Sequence, residues 1–416
     1  MTKVPFKPSL LAGLVAAISL PLQTQAAGFR IPEISTVGTA TANALVANTD
    51  ELGALAYNPA GMAFHDKDGL VAGLTYLSYD LSVDPAGGTK TDSDGKKNFV
   101  IPNFYYMAKS QGKMTAGLAI NSPFGLETSW PQGTFPTFSG SLAPFEPEQS
   151  TIEMLNINPN LAYQIDATSS IAFGLDLYYL NKLVFNTQSI NIDGRGAGLG
   201  WNLAYLKKHG KWSFGASYRS RVKVEVNGFF DATAISQPAT TAKTSIEFPD
   251  LFQAGVAYQA TDKLALEFDI DYTGWSSFDS FSITTPNGNS ELTKSTNNWD
   301  NALAYRLGAI YRLSPATQLL FGYSLDQKAQ PDDYFSARIP DADRQLFSIG
   351  MTHDMGGWTL EAAFMHVATD DRTINSSVSY LAKASGGDRD PNGTDAYNGT
   401  YESSVNLLSV GVSTRF

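Results

Sequence analysis

Glu267, Asp269 and Asp271 stand at every second position of the stretch LALEFDIDYTGW, and Arg219, Arg221 and Lys223 repeat at the same interval farther up the chain. Side chains two apart on a strand share a face, so each set forms a line of like charge. Lines of opposite charge can neutralise one another. A cation left over could hold an anion by charge-assisted hydrogen bonds. Other chemistry finds less support. The four histidines, His65, His209, His353 and His366, lack metal-ligand spacing. His366 with Ser379 or Ser385 comes nearest to a base and nucleophile, but no third member supports the pair. Asp92-Ser93-Asp94-Gly95 begins like a calcium loop and lacks the bidentate glutamate. Residues 194–200, GRGAGLG, fit no phosphate-loop pattern and read as a flexible outer loop. The sequence thus predicts no catalytic residue, no metal and no cofactor.

The residues between the acids say what positions them. Leu264, Leu266, Phe268, Ile270 and Tyr272 alternate with Ala265, Glu267, Asp269 and Asp271, and alternation of period two is a strand signal. The same pattern recurs in 171–177, 212–226, 303–313 and 408–416. Fourteen strands are expected, over 70–83, 98–109, 113–121, 151–165, 168–185, 197–208, 211–227, 251–260, 263–283, 300–313, 316–327, 344–354, 357–368 and 401–416. Their connections alternate short and long. The short ones centre on Ser110-Gln111-Gly112, Asp166-Ala167-Thr168, Lys208-His209-Gly210, Ala260-Thr261-Asp262, Ser314-Pro315-Ala316 and Met355-Gly356-Gly357, and the long ones include 84–97, 285–300 and 370–400. Tyr163, Tyr205, Tyr258 and Tyr311 precede short turns, and Trp212 and Trp358 follow them. An even number of strands, alternating loop lengths and an aromatic girdle describe an outer-membrane barrel.

The oily faces then look at lipid, and the charged faces look into a wet lumen. The reverse would set Arg219, Arg221 and Lys223 against hydrocarbon, at about 2–4 kcal/mol each near the midplane. Only a closed ring satisfies every backbone group there. The expected fold is therefore an all-β, 14-stranded antiparallel transmembrane barrel.

Lys3 and Lys7, the apolar run 10–20 and Thr24-Gln25-Ala26 form a secretory signal over residues 1–26. Its removal takes two lysines and no acid, moving the net charge from -11 to -13. That acidity argues against nucleic acid. Export without a single cysteine means a fold held together without disulfides. Residues 27–68 do not alternate and are rich in small side chains. They are expected to fold as a compact plug inside the barrel, which takes residues 69–416.

These features converge with particular motifs. The start AGF at Ala27, YNPAGM at Tyr57, SPFGLETSW at Ser122, FPDLFQAGVAYQ at Phe248, AYRLGAIYRLS at Ala304, RIPDADRQLFSIG at Arg338 and the terminal Phe416 resemble the FadL-type long-chain fatty acid transporters of the Gram-negative outer membrane, a family with hydrocarbon-uptake relatives. The resemblance runs over nearly the whole mature chain. It implies that residues 27–68 are a hatch, gated at Phe29, Asn58, Pro59 and Ala60. It also implies passive uptake, with capture at outer loops, transfer to a lumen pocket and sideways release beside a kinked third strand.

Pro123 cannot donate to a ladder and Gly125 lets the backbone bend, so Pro123, Phe124 and Gly125 either end that strand or kink it. The resemblance implies a kink and a lateral opening. Trp130, Phe135, Phe138, Leu142 and Phe145 in the following loop are either an outer hydrophobic patch or loop packing. Arg219, Arg221 and Arg306 are candidate head-group cations, with Lys223 and Arg312 also inward by parity. The expected cargo is a long-chain fatty acid. Alkanes or aromatic hydrocarbons by the same route, or general porin activity, are the alternatives. The other expected partners are outer-membrane lipid and, through the C-terminal strand ending in Phe416, the barrel-assembly machinery. The chain is expected to act as a monomer.

Overall fold

The computed structural model describes residues 28–109, 112–288, 290–379 and 395–416. The signal segment, Ser110-Gln111 of the first short turn and Ser385 lie outside them. Fourteen strands form the wall, and six are interrupted: β1 (Gly69–Pro85), β2 (Asn98–Lys109), β3 (Met114–Asn121, then Gly125–Ser129), β4 (Pro147–Asp166), β5 (Ser169–Thr187), β6 (Asn191–His209), β7 (Trp212–Arg219, then Val222–Ala232), β8 (Gln237–Phe248, then Leu251–Thr261), β9 (Leu264–Thr273, then Ser280–Thr284), β10 (Glu291–Thr296, then Ala302–Arg312), β11 (Thr317–Asp326), β12 (Arg344–Asp354), β13 (Thr359–Thr369, then Arg372–Ile374) and β14 (Gly399–Arg415). Each pairs antiparallel with the next. β1 closes the ring on β14, from Gly69 opposite Arg415 to Pro85 opposite Gly399.

The alternation in the sequence becomes the two faces of this wall. Phe173, Leu175 and Leu177 on β5, Leu199, Trp201 and Leu203 on β6, Phe268 and Ile270 on β9, and Phe347, Ile349 and Met351 on β12 are all exposed on the outside. Glu267, Asp269 and Asp271 are buried on the inside. Tyr163, Tyr205, Tyr311, Trp212 and Trp358 crowd the short-turn rim, where the rings of Trp212 and Tyr258 sit 4.3 Å apart. Several strands run past the belt: β4 has 20 residues, and the upper piece of β8, Gln237–Phe248, extends a wall expected to begin only near 251.

Two expectations are corrected. Residues 194–200 are not a loop but part of β6, paired with β5 and β7. Glycine is needed there for close approach, since a Cβ on Gly196 would meet the Glu225 carbonyl oxygen at 2.0 Å. Arg221 and Lys223 do not point inward. β7 breaks after Arg219, where Ser220 bonds Trp201 through its N–H (2.8 Å) and hydroxyl (3.0 Å), and the alternation resumes out of phase. Val222, Val224 and Val226 are therefore the buried set, while Lys223 pairs with Glu225 (3.4 Å) on the exposed face.

Residues 28–68 pack against inward-facing side chains on both sides of the ring, from β1–β6 to β11–β14. They form a short helix, α1 (Thr36–Ala40), capped by the Ser35 hydroxyl, which accepts from Gly38 N–H (2.9 Å), and two 3-10 turns, Leu52–Ala56 and Pro59–Phe64. Small side chains on the segment and glycines on the wall let the two backbones touch. A Cβ on Gly322 of β11 would lie 2.1 Å from the Thr41 carbonyl carbon. Gly322→Val is thus expected to leave the ring intact but push the segment away, read as new protease cleavage within residues 28–68 of an otherwise heat-modifiable barrel.

Candidate functional site: a lumen cavity beside a broken strand

β3 is continuous from Met114 to Asn121 and resumes at Gly125. Asn121 opposes Asn156 of β4 and Gly125 opposes Glu153, so three residues, Ser122, Pro123 and Phe124, face two, Met154 and Leu155. Pro123 has no N–H to keep the ladder going. On its other side β3 follows β2 only up to the Phe104–Ile120 pair, and above that the Asn98–Asn103 stretch of β2 is paired to β1 alone. The seam between β2 and the upper piece of β3 is open.

A cavity of about 640 Å³ lies against this seam. Leu346, Val367 and Leu407 line it from the lumen. Phe99, Val100 and Ile101 of β2 and Gly125, Leu126 and Glu127 of β3 form its two lips. Val100 and Tyr179 belong to the outward face, so the cavity crosses the wall.

The start of the leading segment fills the break. Ile31 N–H donates to the Pro123 carbonyl (2.9 Å), Gly125 N–H donates to the Phe29 carbonyl (3.1 Å), and Arg30 bridges Phe124. Backbone groups orphaned by the broken strand are thereby satisfied. The Phe29 ring is buried among Trp275 (4.6 Å between centroids), Phe278 (5.6 Å), Trp299 (5.8 Å), Phe124 (6.0 Å) and Phe248 (6.2 Å). Gly28 takes a positive φ of 63°, and a Cβ there would meet both tryptophans at 2.7 Å.

The Asn58 amide donates to the Val46 carbonyl (2.8 Å) and the Tyr205 carbonyl of β6 (3.0 Å), and its oxygen accepts from Ala60 N–H (3.0 Å). The Ala60 carbonyl accepts from Ser170 of β5 (2.8 Å). Pro59 starts the 3-10 turn, where its missing N–H costs nothing. The three acids of LALEFDIDYTGW hold the opposite side. Asp269 accepts from Val46 N–H (2.9 Å), Glu267 accepts from Ala47 N–H, and Asp271 pairs with Arg30 and Arg306 at 3.0 Å each. Arg306 also reaches Asp326 (3.1 Å) and the Ala42 carbonyl (3.3 Å). Arg219 pairs with Asp176, and Arg221 with Asp250 (3.3 Å) on the exposed face. All three candidate cations therefore have acidic partners. Glu33, in the leading segment, lines the cavity; burial raises its carboxyl above the ordinary range, and Arg344 and Arg306 pull the other way.

At the outer end, Trp130, Phe135 and Phe138 are not exposed. They pack with Leu81, Val83, Phe335, Tyr397 and Tyr401 into a cap over the β1 and β14 ends. The buried Glu146 carboxylate folds their loop by accepting from Gly133 N–H (2.8 Å) and Phe135 N–H (2.9 Å), and the Trp130 indole donates to the Ala337 carbonyl (2.8 Å). Leu142 is half-buried and Phe145 exposed. His366 bonds Asn406 across strands (2.9 Å). Asp94 bonds Ser129 (2.7 Å) in a turn docked on β3.

Sequence reasoning missed the ring of aromatics around Phe29, although Trp275 and Phe278 lie in TGWSSF. It missed Arg30, whose partner Asp271 lies far along the chain, and Arg344 in RIPDADRQLFSIG, whose place in the cavity depends on distant strands.

The chain resembles known proteins over almost its whole length. It is 25% identical to Outer membrane protein P1 of Haemophilus influenzae, across 91% of this chain and 96% of that one. It is 23% identical to the Long-chain fatty acid transport protein of Escherichia coli, across 91% and 92%. Its fold superposes on a Pseudomonas aeruginosa FadL homologue with a TM-score of 0.78 at 16% identity, covering 94% of this chain and all of that one. The Pseudomonas putida toluene transporter TodX gives 0.69 at 14%, covering 95% and 99%. The profile of the outer membrane protein transport family (OMPP1/FadL/TodX) matches residues 17–416, and with a closed 14-stranded wall the chain belongs to that family: an outer-membrane transport protein of the Gram-negative cell, not an enzyme.

Proposed function

We propose that the chain takes up long-chain fatty acids by passive diffusion through the lumen and out through the side of the barrel. The observation that carries this reading is the cavity whose lining begins at lumen residues such as Leu346 and Leu407 and ends at lipid-facing Val100 and Tyr179. A pore for polar solutes has no use for an exit into hydrocarbon. An apolar chain does, since each methylene kept from water is worth about 0.8 kcal/mol. The volume lies in the usual range for small-molecule sites, roughly 300–1,000 Å³. Relatives named as long-chain fatty acid transport proteins favour the same cargo.

Cargo meets Leu142 and Phe145 on the outer loop, passes to the cavity, and leaves between β2 and β3. Residues 28–68 act as the hatch. Phe29 and its neighbours fill the break in β3 beside the open seam, and their withdrawal widens the way out, with Asn58, Pro59 and Ala60 keeping the remainder docked. The protein works as a monomer in outer-membrane lipid, delivered by the barrel-assembly machinery through β14 and Phe416.

Deleting Pro123 tests the route. One residue fewer would bring both pieces of β3 into a single register with β4 and let the ladder continue along β2. Uptake of a labelled long-chain fatty acid by cells carrying only this transporter should fall at least about tenfold, with normal amounts of heat-modifiable barrel. Unchanged uptake would overturn the lateral route.

A further inference from the structure

We propose that Arg344 is the head-group ligand of the lumen cavity and makes it selective for chains ending in a carboxylate; this rests on the fatty-acid reading above. Among the described residues three cations line the cavity: Arg30, Lys96 and Arg344. Arg30 is committed to Asp271 (3.0 Å) and Thr273 (3.4 Å). Lys96 sits on the outer lip, with its ammonium 5.1 Å from the centre of the Phe99 ring.

Arg344 begins β12 with the parity of Leu346, whose side chain is buried in the lumen. Its guanidinium has no hydrogen bond or ion pair among the described residues, and its Nε is buried without a partner. The acids around it are engaged elsewhere. Asp326, its neighbour across the strands, holds Arg306 and accepts from Ser324. Asp341 accepts from the N–H groups of Ala329 (2.6 Å) and Gln330 (3.3 Å). Glu33 accepts from Asn43 (2.9 Å).

A guanidinium offers five donors in a fork matched to two carboxylate oxygens. Beyond these engaged acids the cavity presents apolar side chains, among them Leu77, Leu346, Val367, Val405 and Leu407. A carboxylate can dock on Arg344 while its tail lies along these side chains toward the lips of the seam. A neutral chain gains the same apolar contacts and leaves the donors without a partner, which is costly for a buried polar group.

Hexadecanoic acid and hexadecan-1-ol, bound to the full barrel in nanodiscs at pH 7.5, separate the two ends of the ligand. The wild type should prefer the acid. In Arg344→Gln, affinity for the acid should drop at least about tenfold while that for the alcohol stays within about twofold. Arg344→Lys should recover part of the preference. Equal losses for both ligands, or an unchanged affinity for the acid, would overturn the assignment of Arg344 and leave the fatty-acid reading standing. A wild type that binds neither ligand would overturn both.

Discussion

Asn58→Ala is expected to cut uptake of long-chain fatty acid at least about tenfold while the barrel still assembles. The side chain is wholly buried, and its amide bridges two carbonyls, one on the leading segment and one on the wall. Alanine would leave the Val46 and Tyr205 carbonyls facing a dry gap and uncap the Pro59–Phe64 turn. Each unsatisfied buried group costs about 1–3 kcal/mol and the lost cap about 1 kcal/mol. A factor of ten needs only about 1.4 kcal/mol, so the docked state loses enough to depopulate. The ring is largely insulated from the loss: its described strand pairings run from wall to wall, and residues 28–68 bridge it at the break in β3. An undocked segment neither shapes the cavity floor nor delivers Phe29 to the break, so capture and release come apart. Replacing Asn58-Pro59-Ala60 together, or deleting Ala27–Phe29, should give the same phenotype. Uptake by cells, scored against gel mobility with and without heating, checks it. Normal uptake would remove the gating role.

Which features could be read from the chain follows from the range of the interaction behind each. Alternation is a local consequence of the pleat and a two-solvent environment, so the wall, its turns and its aromatic rim were legible without contacts. The same rule failed at Arg221 and Lys223, because parity carries across a segment only while the strand is unbroken, and nothing in SYRSRVKVEV marks the break at Ser220. Trp130, Phe135 and Phe138 were legible as a cluster but not as a covered one. Their partners, Phe335, Tyr397 and Tyr401, are some 200 or more residues away and meet them only when the loops of β3, β11 and β13 fold over one end. The purpose of the acid line in LALEFDIDYTGW was half legible. Its inward aim follows from period two. That Asp269 and Glu267 receive backbone N–H groups of Val46 and Ala47 depends on a leading segment whose small side chains let its main chain lie against the wall.

Arg306→Leu should be the most damaging single change on the wall, costing about 3–5 kcal/mol as expected when one partner of a buried pair is removed. The guanidinium is fully buried and bonds Asp271, Asp326, Ser324 and the Ala42 carbonyl. The two carboxylates are not left in equal trouble. Asp271 keeps Arg30 (3.0 Å) and Gln253 (2.9 Å), whereas Asp326 keeps only the Ser324 hydroxyl as a hydrogen-bond partner among the described residues. The uncompensated charge is therefore on Asp326, so Arg306→Leu with Asp326→Asn should recover much of the loss that Arg306→Leu alone produces. Asp271→Asn in the same background should recover less, because it also strips Arg30 of its partner. The temperature at which the folded band disappears on gels, compared across the single and double variants, gives the coupling directly. Equal rescue by both asparagines would deny the asymmetry. The consequence reaches the break in β3, because Arg30 sits between Phe29 and Ile31, whose main chains close it. Weakening the Asp271 end of the network should loosen that closure, so Asp271→Asn alone is expected to raise protease access at residues 28–32 more than Asp326→Asn does.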